Sequence, residues 1–419
     1  MVIMLYITTI ILLLQSCFAT DECFTLAGDN LIKGDCQFCN GEIIIPNNVK
    51  SIWYYAFKKC TSITSVTIPA SVTSIEKEAF FGCTSITSVI IPSSVTSIGE
   101  EAFSGCTSII SITFEPNSQL KDIGETAFSY CTQLQNVTIP SSVTSVGSHA
   151  FQGCTGITSL LFETGSQLKN IGGNAFSKCT SITSVTIPSS VTSIGSQTFS
   201  QCTNIISVIF EPGSQLKDTG DYTFQKCTQL QNVTIPSSVT SIGNHAFSEC
   251  TQLQNVIIPS SVTSIGSSAF YNCTDLQSVT IPSSVTSIGD YAFQKCASIT
   301  SVTIPSSATS IGVYVFYQCT QLQSVYILSK NISINPYIFY GCPNISLIST
   351  EQENDMTFPS IGNNLVVSFD GRYAIQRISE TGSGLHSSSI VIGSQRLTIN
   401  NNNKYHLFMN TFNTTVDVS

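Results

Sequence analysis

A cysteine returns along this chain at an almost fixed interval, and that interval restricts the fold more than any other feature. It stands at Cys60, Cys83, Cys106, Cys131, Cys154, Cys179, Cys202, Cys227, Cys250, Cys273, Cys296, Cys319 and Cys342. The gaps between these thirteen positions are 23 residues nine times and 25 residues three times. A phenylalanine lies three residues before each of them, from Phe57 to Phe339. A period of this length means stacked supersecondary units, not a globular core with one centre. The usual inference of two or three domains from 419 residues therefore does not apply.

One unit is Cys273 to Lys295, CTDLQSVTIPSSVTSIGDYAFQK. The alternation Ser278-Val279-Thr280-Ile281 has period two and reads as a short strand with one buried face. Pro282 ends that strand, because it has no amide hydrogen and fixes φ. Between Ser287 and Phe293 the spacing becomes helix-like, with Ile288 and Ala292 four apart, so a convex helical segment of at most about two turns is expected. Such a unit cannot close its own core. Stacking sets each Leu, Val, Ile, Phe and Cys against its copies, and each large side chain buried contributes roughly 1.5–3 kcal/mol.

The pattern is carried by Thr61-Ser62-Ile63-Thr64-Ser65-Val66-Thr67-Ile68-Pro69, by Ala79-Phe80 and by their copies. It resembles the BspA-like leucine-rich repeats, the treponemal-type subfamily with a 23-residue unit, over about residues 42–347. The resemblance implies an α/β leucine-rich-repeat solenoid with a concave parallel β-sheet and short convex helical segments. It also implies extracellular binding or adhesion rather than catalysis, with a matrix glycoprotein such as fibronectin as the kind of partner.

Net charge is −9 and only 10% of residues are charged, which argues against nucleic acid or anionic lipid as the main partner. Residues 1–19 hold an apolar run, Ile7 to Leu14, and small residues at Cys17 and Ala19, and read as a signal peptide. The run Leu14-Gln15-Ser16-Cys17 leaves a lipidation signal as an alternative. Export would place the chain in an oxidising environment. Residues 20–45 carry Cys23, Cys36 and Cys39 and are expected to form an N-terminal cap, with Cys23 bonded to Cys36 or Cys39. A zinc or redox site at Cys36-x-x-Cys39 lacks the second pair or the histidines it would need. The repeat cysteines occupy a small buried hydrophobe's place and are expected to be free, unreactive thiols.

The three 25-residue units start at Cys106, Cys154 and Cys202 and carry longer turns: Phe114-Glu115-Pro116, Phe162-Glu163-Thr164 and Phe210-Glu211-Pro212. Each continues to Lys121, Lys169 or Lys217, so Glu and Lys are expected in rows along one flank, as solvated loop charge or as a docking ridge. The repeats span residues 46–347, and 348–362 read as a polar linker. Residues 363–419 read as a small β-rich C-terminal module, possessing an Asp370-Gly371 hairpin signal between Leu365–Phe369 and Arg372–Ile375. No stretch after the leader has the roughly 18 apolar residues of a spanning helix.

No nucleophile elbow, phosphate-cradling glycine loop or two-histidine metal motif is present, so neither catalytic nor metal residues nor a cofactor are assigned. His149 and His245 share a repeat position that elsewhere holds Glu, Asn, Tyr, Ser or Gln, which marks a surface slot. The candidate protein-binding surface is the outward face of the sheet: Ser65, Thr67, Ile90, Thr113, Thr186, Ile209, Ile257, Thr280, Thr303 and Tyr326. Strand propensity alone also accounts for such a composition. Sequons make Asn136, Asn232, Asn272, Asn331, Asn344 and Asn413 candidate glycosylation sites, the first two on that same face. The expectation is a secreted or surface-associated adhesin-like protein without enzymatic activity. The alternative is a self-associating structural coat.

Overall fold

The structure, a computed structural model, describes residues 23–345 other than 330, 331 and 336, and after residue 345 only the strands Leu347–Thr350, Leu365–Phe369, Arg372–Gln376, Ser387–Ser388, Ile390–Val391 and Arg396–Leu397. Each coil has three sides, and each side forms its own ladder of hydrogen bonds from coil to coil, with a few interruptions. The first side is the strand read from the Val-Ile alternation. Strands such as Ser88–Ile91, Ser111–Phe114 and Asn136–Ile139 pair parallel with the strand one coil on, in the register Val89↔Ile112 and Ile90↔Thr113. Their burial alternates, the first and third residues outward and the second inward, as a half-buried strand requires. This long-strand ladder begins at Gly41–Ile44 and recurs to Ser324–Ile327.

The second side is a two-residue strand from the Ser-Ile pair, for example Ser74–Ile75, Ser97–Ile98 and Ser287–Ile288. These also pair parallel, Ser74↔Ser97 and Ile75↔Ile98. From Ser97–Ile98 on, a glycine follows and lets two backbones approach closely: a Cβ on Gly289 would lie 2.5 Å from the Ser267 nitrogen.

The third side corrects the expectation of convex helices. Among the described residues of the repeats this side is a chain of turns. Ala56, Lys58 and Cys60 donate to the carbonyls three residues back, while Tyr55, Phe57 and Lys59 donate to Lys77, Ala79 and Phe81 of the next coil. The physical cause lies in two left-handed residues four apart in each coil, such as Tyr55 (φ 63°) with Lys59 (φ 60°) and Tyr291 (φ 58°) with Lys295 (φ 60°). No α-helix passes through such residues, each costing roughly 1–2 kcal/mol. The inter-coil bonds and the aromatic burial offset that cost. The phenylalanine amide bonds run unbroken from Phe57 N–Ala79 O (2.7 Å) to Phe316 N–Ile338 O (3.0 Å).

The core is a column. From Phe57 to Phe339 each phenylalanine ring stacks on its copy at 5.0–5.7 Å with interplanar angles of 3–13°. The twelve cysteines from Cys83 to Cys342 are free and buried beside it. Each thiol donates to the carbonyl of the preceding coil's phenylalanine, from Cys83 Sγ–Phe57 O (3.0 Å) to Cys342 Sγ–Phe316 O (3.0 Å). The repeated residue is therefore a hydrogen-bonding one as well as a small hydrophobe.

At the N-terminus an antiparallel pair, Phe24–Ala27 with Asn30–Gly34, extends the short-strand ladder through Asn30↔Ser51. Phe24 meets the first ring, Phe57, edge-on at 6.1 Å and closes that end of the column. Two disulfides hold this cap: Cys23–Cys39, and Cys36 to Cys60 of the first repeat. The second corrects the reading of Cys60 as a free thiol. Cys60 lies one coil from the cap, with its Cα 4.9 Å from that of Cys36, so it joins cap to solenoid instead of continuing the thiol column. In chain-entropy terms loops of this size are worth about 3 kcal/mol each.

At the other end Leu347–Thr350 continues the long-strand ladder, and Leu365–Phe369 pairs parallel with it. Leu365–Phe369 then forms an antiparallel pair with Arg372–Gln376, the hairpin expected from the sequence. A further short antiparallel pair joins Ile390–Val391 to Arg396–Leu397. The leader at 1–19, residues 351–362 of the linker expected at 348–362, and the Asp370-Gly371 turn lie outside the described residues, while residues 348–350 of that expected linker belong instead to the strand Leu347–Thr350.

Candidate functional site

The long-strand ladder positions the sequence-predicted face. Thr67, Ile90, Thr113, Thr186, Ile209, Ile257, Thr280, Thr303 and Tyr326 are exposed, and Ser65 is half-buried. They line up because the coils pair without slippage: Thr186↔Ile209, Thr234↔Ile257 and Thr303↔Tyr326 are direct partners. The threonines make the face hydroxylated, but Ile90, Leu161, Ile209 and Ile257 interrupt it with side chains 52–62% exposed. Among the described residues these apolar points stand outward on the face, separated by coils that carry threonine. Beside Ile209 a cavity of about 330 Å³ lies between the longer turn, Glu211 to Ser214, and Thr234, Pro236 and Ser237.

Sequence reasoning left the flanking Glu rows as solvated charge or a docking ridge. Their carboxylates instead accept backbone hydrogen bonds from the preceding coil: Glu115 from Ser93 (3.0 Å), Glu163 from Ser141 (2.8 Å) and Glu211 from Ser189 (2.8 Å). The longer turn thus caps the Pro-Ser-Ser turn before it. Lys121, Lys169 and Lys217 remain exposed, and their backbone carbonyls accept from the hydroxyls of Thr144, Thr192 and Thr240.

Asn136 and Asn232 are exposed on the long-strand face, and Asn255 donates to the Asn232 side-chain oxygen at 3.3 Å. Asn344 is exposed, with its amide nitrogen donating to the Thr320 carbonyl. Asn272 is half-buried on the turn side at φ 58°. Asn331 and Asn413 lie outside the described residues. His149 and His245 both sit on the turn side in the left-handed conformation, His245 stacked on Tyr222 at 4.5 Å. Burial holds the His245 imidazole below its ordinary value.

One cluster went unread in the sequence. On the turn side of the last coils Tyr291, Tyr314, Tyr317, Tyr337 and Tyr340, with Gln294, surround an open cleft of about 520 Å³. Its signal was available: the two variable slots flanking Ala-Phe fill with tyrosine repeatedly only after residue 290. Among the described residues no three His, Cys, Asp or Glu side chains gather as metal ligands, and no helix is long and apolar enough to cross a membrane.

No curated protein matches the sequence. Among solved structures, a leucine-rich repeat protein from Bacteroides ovatus is similar at 25% identity and TM-score 0.53, covering 73% of this chain and 92% of its own. The pneumococcal vaccine antigen PcpA is similar at 20% identity and TM-score 0.52, covering 79% of this chain and 85% of its own. At that identity the second likeness concerns the fold alone. The family described as the BspA type leucine rich repeat region matches residues 35–158, 157–273 and 217–346. Those matches run through the stacked coils from the cap to the last repeat, and the chain belongs to the BspA-type leucine-rich repeat family.

Proposed function

We propose that the chain is a secreted or surface-associated adhesin-like protein that binds an extracellular protein through the long-strand face, without chemistry of its own. The observation that carries this reading is the row of outward Ile and Leu side chains, 52–62% exposed, on a rigid and nearly uncharged ladder. A long surface of regular hydroxyls with apolar points suits an extended protein partner, which meets several coils at once. The cavity beside Ile209 offers one place for an anchoring side chain. Two disulfides at the N-terminus support an oxidising compartment and hence export. Glycans on Asn136 and Asn232 would stand on this same face and limit the partner to the coils between and beyond them.

The test is a binding screen of the full chain against immobilised matrix glycoproteins, fibronectin among them, repeated with an Ile90→Ser, Ile209→Ser, Ile257→Ser variant. These side chains point away from the core, so the variant keeps its fold. Binding by the parent, weakened at least about tenfold in the variant, is expected, since each lost apolar contact of this size removes about 1 kcal/mol or more. A parent that binds nothing but self-assembles in light scattering would favour the coat reading. Equal binding by both proteins would move the site elsewhere.

A further inference from the structure

The column of repeat cysteines is not evenly spaced. Beyond Cys83, which follows the coil bonded to the cap, the thiol-to-carbonyl bonds alternate in length. Cys106, Cys154, Cys202, Cys250, Cys296 and Cys342 donate at 3.0–3.1 Å. Cys131, Cys179, Cys227, Cys273 and Cys319 donate at 3.2–3.3 Å. Each bond runs to the coil before, so the alternation groups the coils in twos: Cys83 with Cys106, Cys131 with Cys154, and onward to Cys319 with Cys342. In these three pairs the thiols also act on one another side chain to side chain.

The spacing in the sequence agrees with this grouping. All six pairs are 23 residues apart, while the 25-residue steps Cys106–Cys131, Cys154–Cys179 and Cys202–Cys227 all fall in the other grouping. Cys36 takes Cys60 out of the count and leaves twelve free thiols, an even number that begins at Cys83. That disulfide also shows that a step of one coil can be bridged, with Cα atoms 4.9 Å apart. Beside the six pairs the coils are tied by backbone bonds, from Gly82 N–Ser104 O (2.8 Å) to Gln318 N–Tyr340 O (2.9 Å). Three residues earlier the stacked rings of the same coils are 5.0–5.7 Å apart. Steps of that size lie within the roughly 4.4–6.8 Å that separates the Cα atoms of disulfides.

We propose that the thiol column is the reduced form of a disulfide ladder, in which Cys83–Cys106 and the five pairs after it close between neighbouring coils when the chain folds with a small disulfide as oxidant. The chemistry is thiol–disulfide exchange. One cysteine thiolate attacks a sulfur of the oxidant, breaks its S–S bond and releases one small thiolate. The second cysteine thiolate attacks the protein sulfur of that mixed disulfide and releases the other. Each pair gives up two electrons and two protons, and two small thiols carry them away. The sulfurs are buried in the finished stack, so the exchange takes place while coils are still open. The ladder lies inside the core and leaves the long-strand face unchanged, so it stands or falls apart from the binding reading.

The experiment reduces and unfolds the full chain, then refolds it with glutathione and glutathione disulfide, beside a portion refolded with a reductant. Circular dichroism establishes that both portions have folded. Thiols are then counted with maleimide in denaturant, and bonds are mapped by mass spectrometry of peptides. After refolding with the disulfide, none of the twelve cysteines should label and the six pairs should appear in the stated grouping. With the reductant all twelve should label. Cys106→Ser should free Cys83 and leave the other five bonds in place. The oxidised portion should need more urea to unfold than the reduced one, because each bond restricts the unfolded chain. If refolding aggregates, the same map on chain secreted by a eukaryotic host replaces it and is judged in the same way. The proposal is overturned by thiols that stay free in the oxidised portion, by bonds of the other grouping such as Cys106–Cys131, or by mixed pairings.

Discussion

The repeat cysteine is a buried donor whose acceptor is supplied by the coil before it. Burial, with the neighbouring thiols, pushes Cys131, Cys179, Cys227, Cys273 and Cys319 well up, and burial pushes Cys202 up to about 12. Cys106 is raised first by its hydrogen bond to the Cys83 side chain and then by burial. A raised thiol pKa has a definite consequence for pH. Below an ordinary thiol value both folded and unfolded states keep the proton, and the stability is fully present. Above it the unfolded chain loses protons that the folded chain keeps, so stability falls with rising pH until the folded thiol also titrates. The slope is about 1.4 kcal/mol per pH unit for each thiol. Urea unfolding should therefore be nearly flat from pH 7 to about 8.5 and then weaken steeply. Cys202→Ser should reduce that slope by one thiol's share. A stability unchanged to pH 11 would contradict the buried column. The sequence shows where these cysteines are and that they are small and buried. It does not show the partner, because a thiol's acceptor here is a backbone carbonyl that every residue possesses.

At the scale of the element, strands were legible and the third side was not. Val279 and Ile281 alternate, and Pro282 stops the run, so strand and boundary follow from local chemistry. Ile288 and Ala292 are spaced as in a helix, yet they belong to a strand end and a turn. The left-handed residues that decide this are Tyr291 and Lys295, types that do not announce φ > 0. Only Gly82, Gly105, Gly153 and Gly341, at the second such position in their coils, carry that signal openly. One coil departs from the rest. Where other coils have Ile or Val, as in Asp122-Ile123-Gly124, it has Thr219, in Asp218-Thr219-Gly220, and the short-strand ladder stops after Ser193–Ile194 and resumes at Ser241–Ile242. Gly220 donates to the Asp218 carboxylate at 2.7 Å, Gly243 donates to the Thr219 hydroxyl at 3.0 Å, and the Thr223 hydroxyl is buried without a partner. Thr223→Val, which exchanges that hydroxyl for a methyl of equal shape, should stabilise the protein by about 1 kcal/mol in urea unfolding. In native-state hydrogen exchange the amides of Thr219 to Thr223 should open before the matching amides of Ile288 to Ala292. Loss of stability in Thr223→Val would show that the hydroxyl is satisfied.

For the whole molecule, the interruptions do not coincide. The long-strand ladder breaks between Ser159–Phe162 and Ser184–Ile187, where the short strands Asn170–Ile171 and Ser193–Ile194 are paired. The short-strand ladder breaks around Asp218, where the long strands at Ser207, Asn232 and Asn255 are paired. The long-strand ladder breaks again between Ser278 and Ser301, across which Ser287 and Ser310 are paired. The phenylalanine stack and the turn ladder run through all three. Adjacent coils are thus always held by at least two of their three sides, and the disulfide from Cys36 to Cys60 adds a covalent tie at the end where the stack begins. This redundancy holds the outward Ile and Tyr rows in place as ordered surfaces. The repeat length made the stack legible in the sequence. The staggering of its breaks depends on single departures such as Thr219, which carry no meaning until the coils are laid side by side.

Thiol counting by maleimide labelling and mass spectrometry, with the chain folded and then in denaturant, tests the stacked interior most directly. Stacking predicts no adduct on any of the twelve cysteines from Cys83 to Cys342 in the folded chain and one on every one of them after unfolding. Stoichiometric labelling of Cys179 or Cys202 in the folded chain would contradict it.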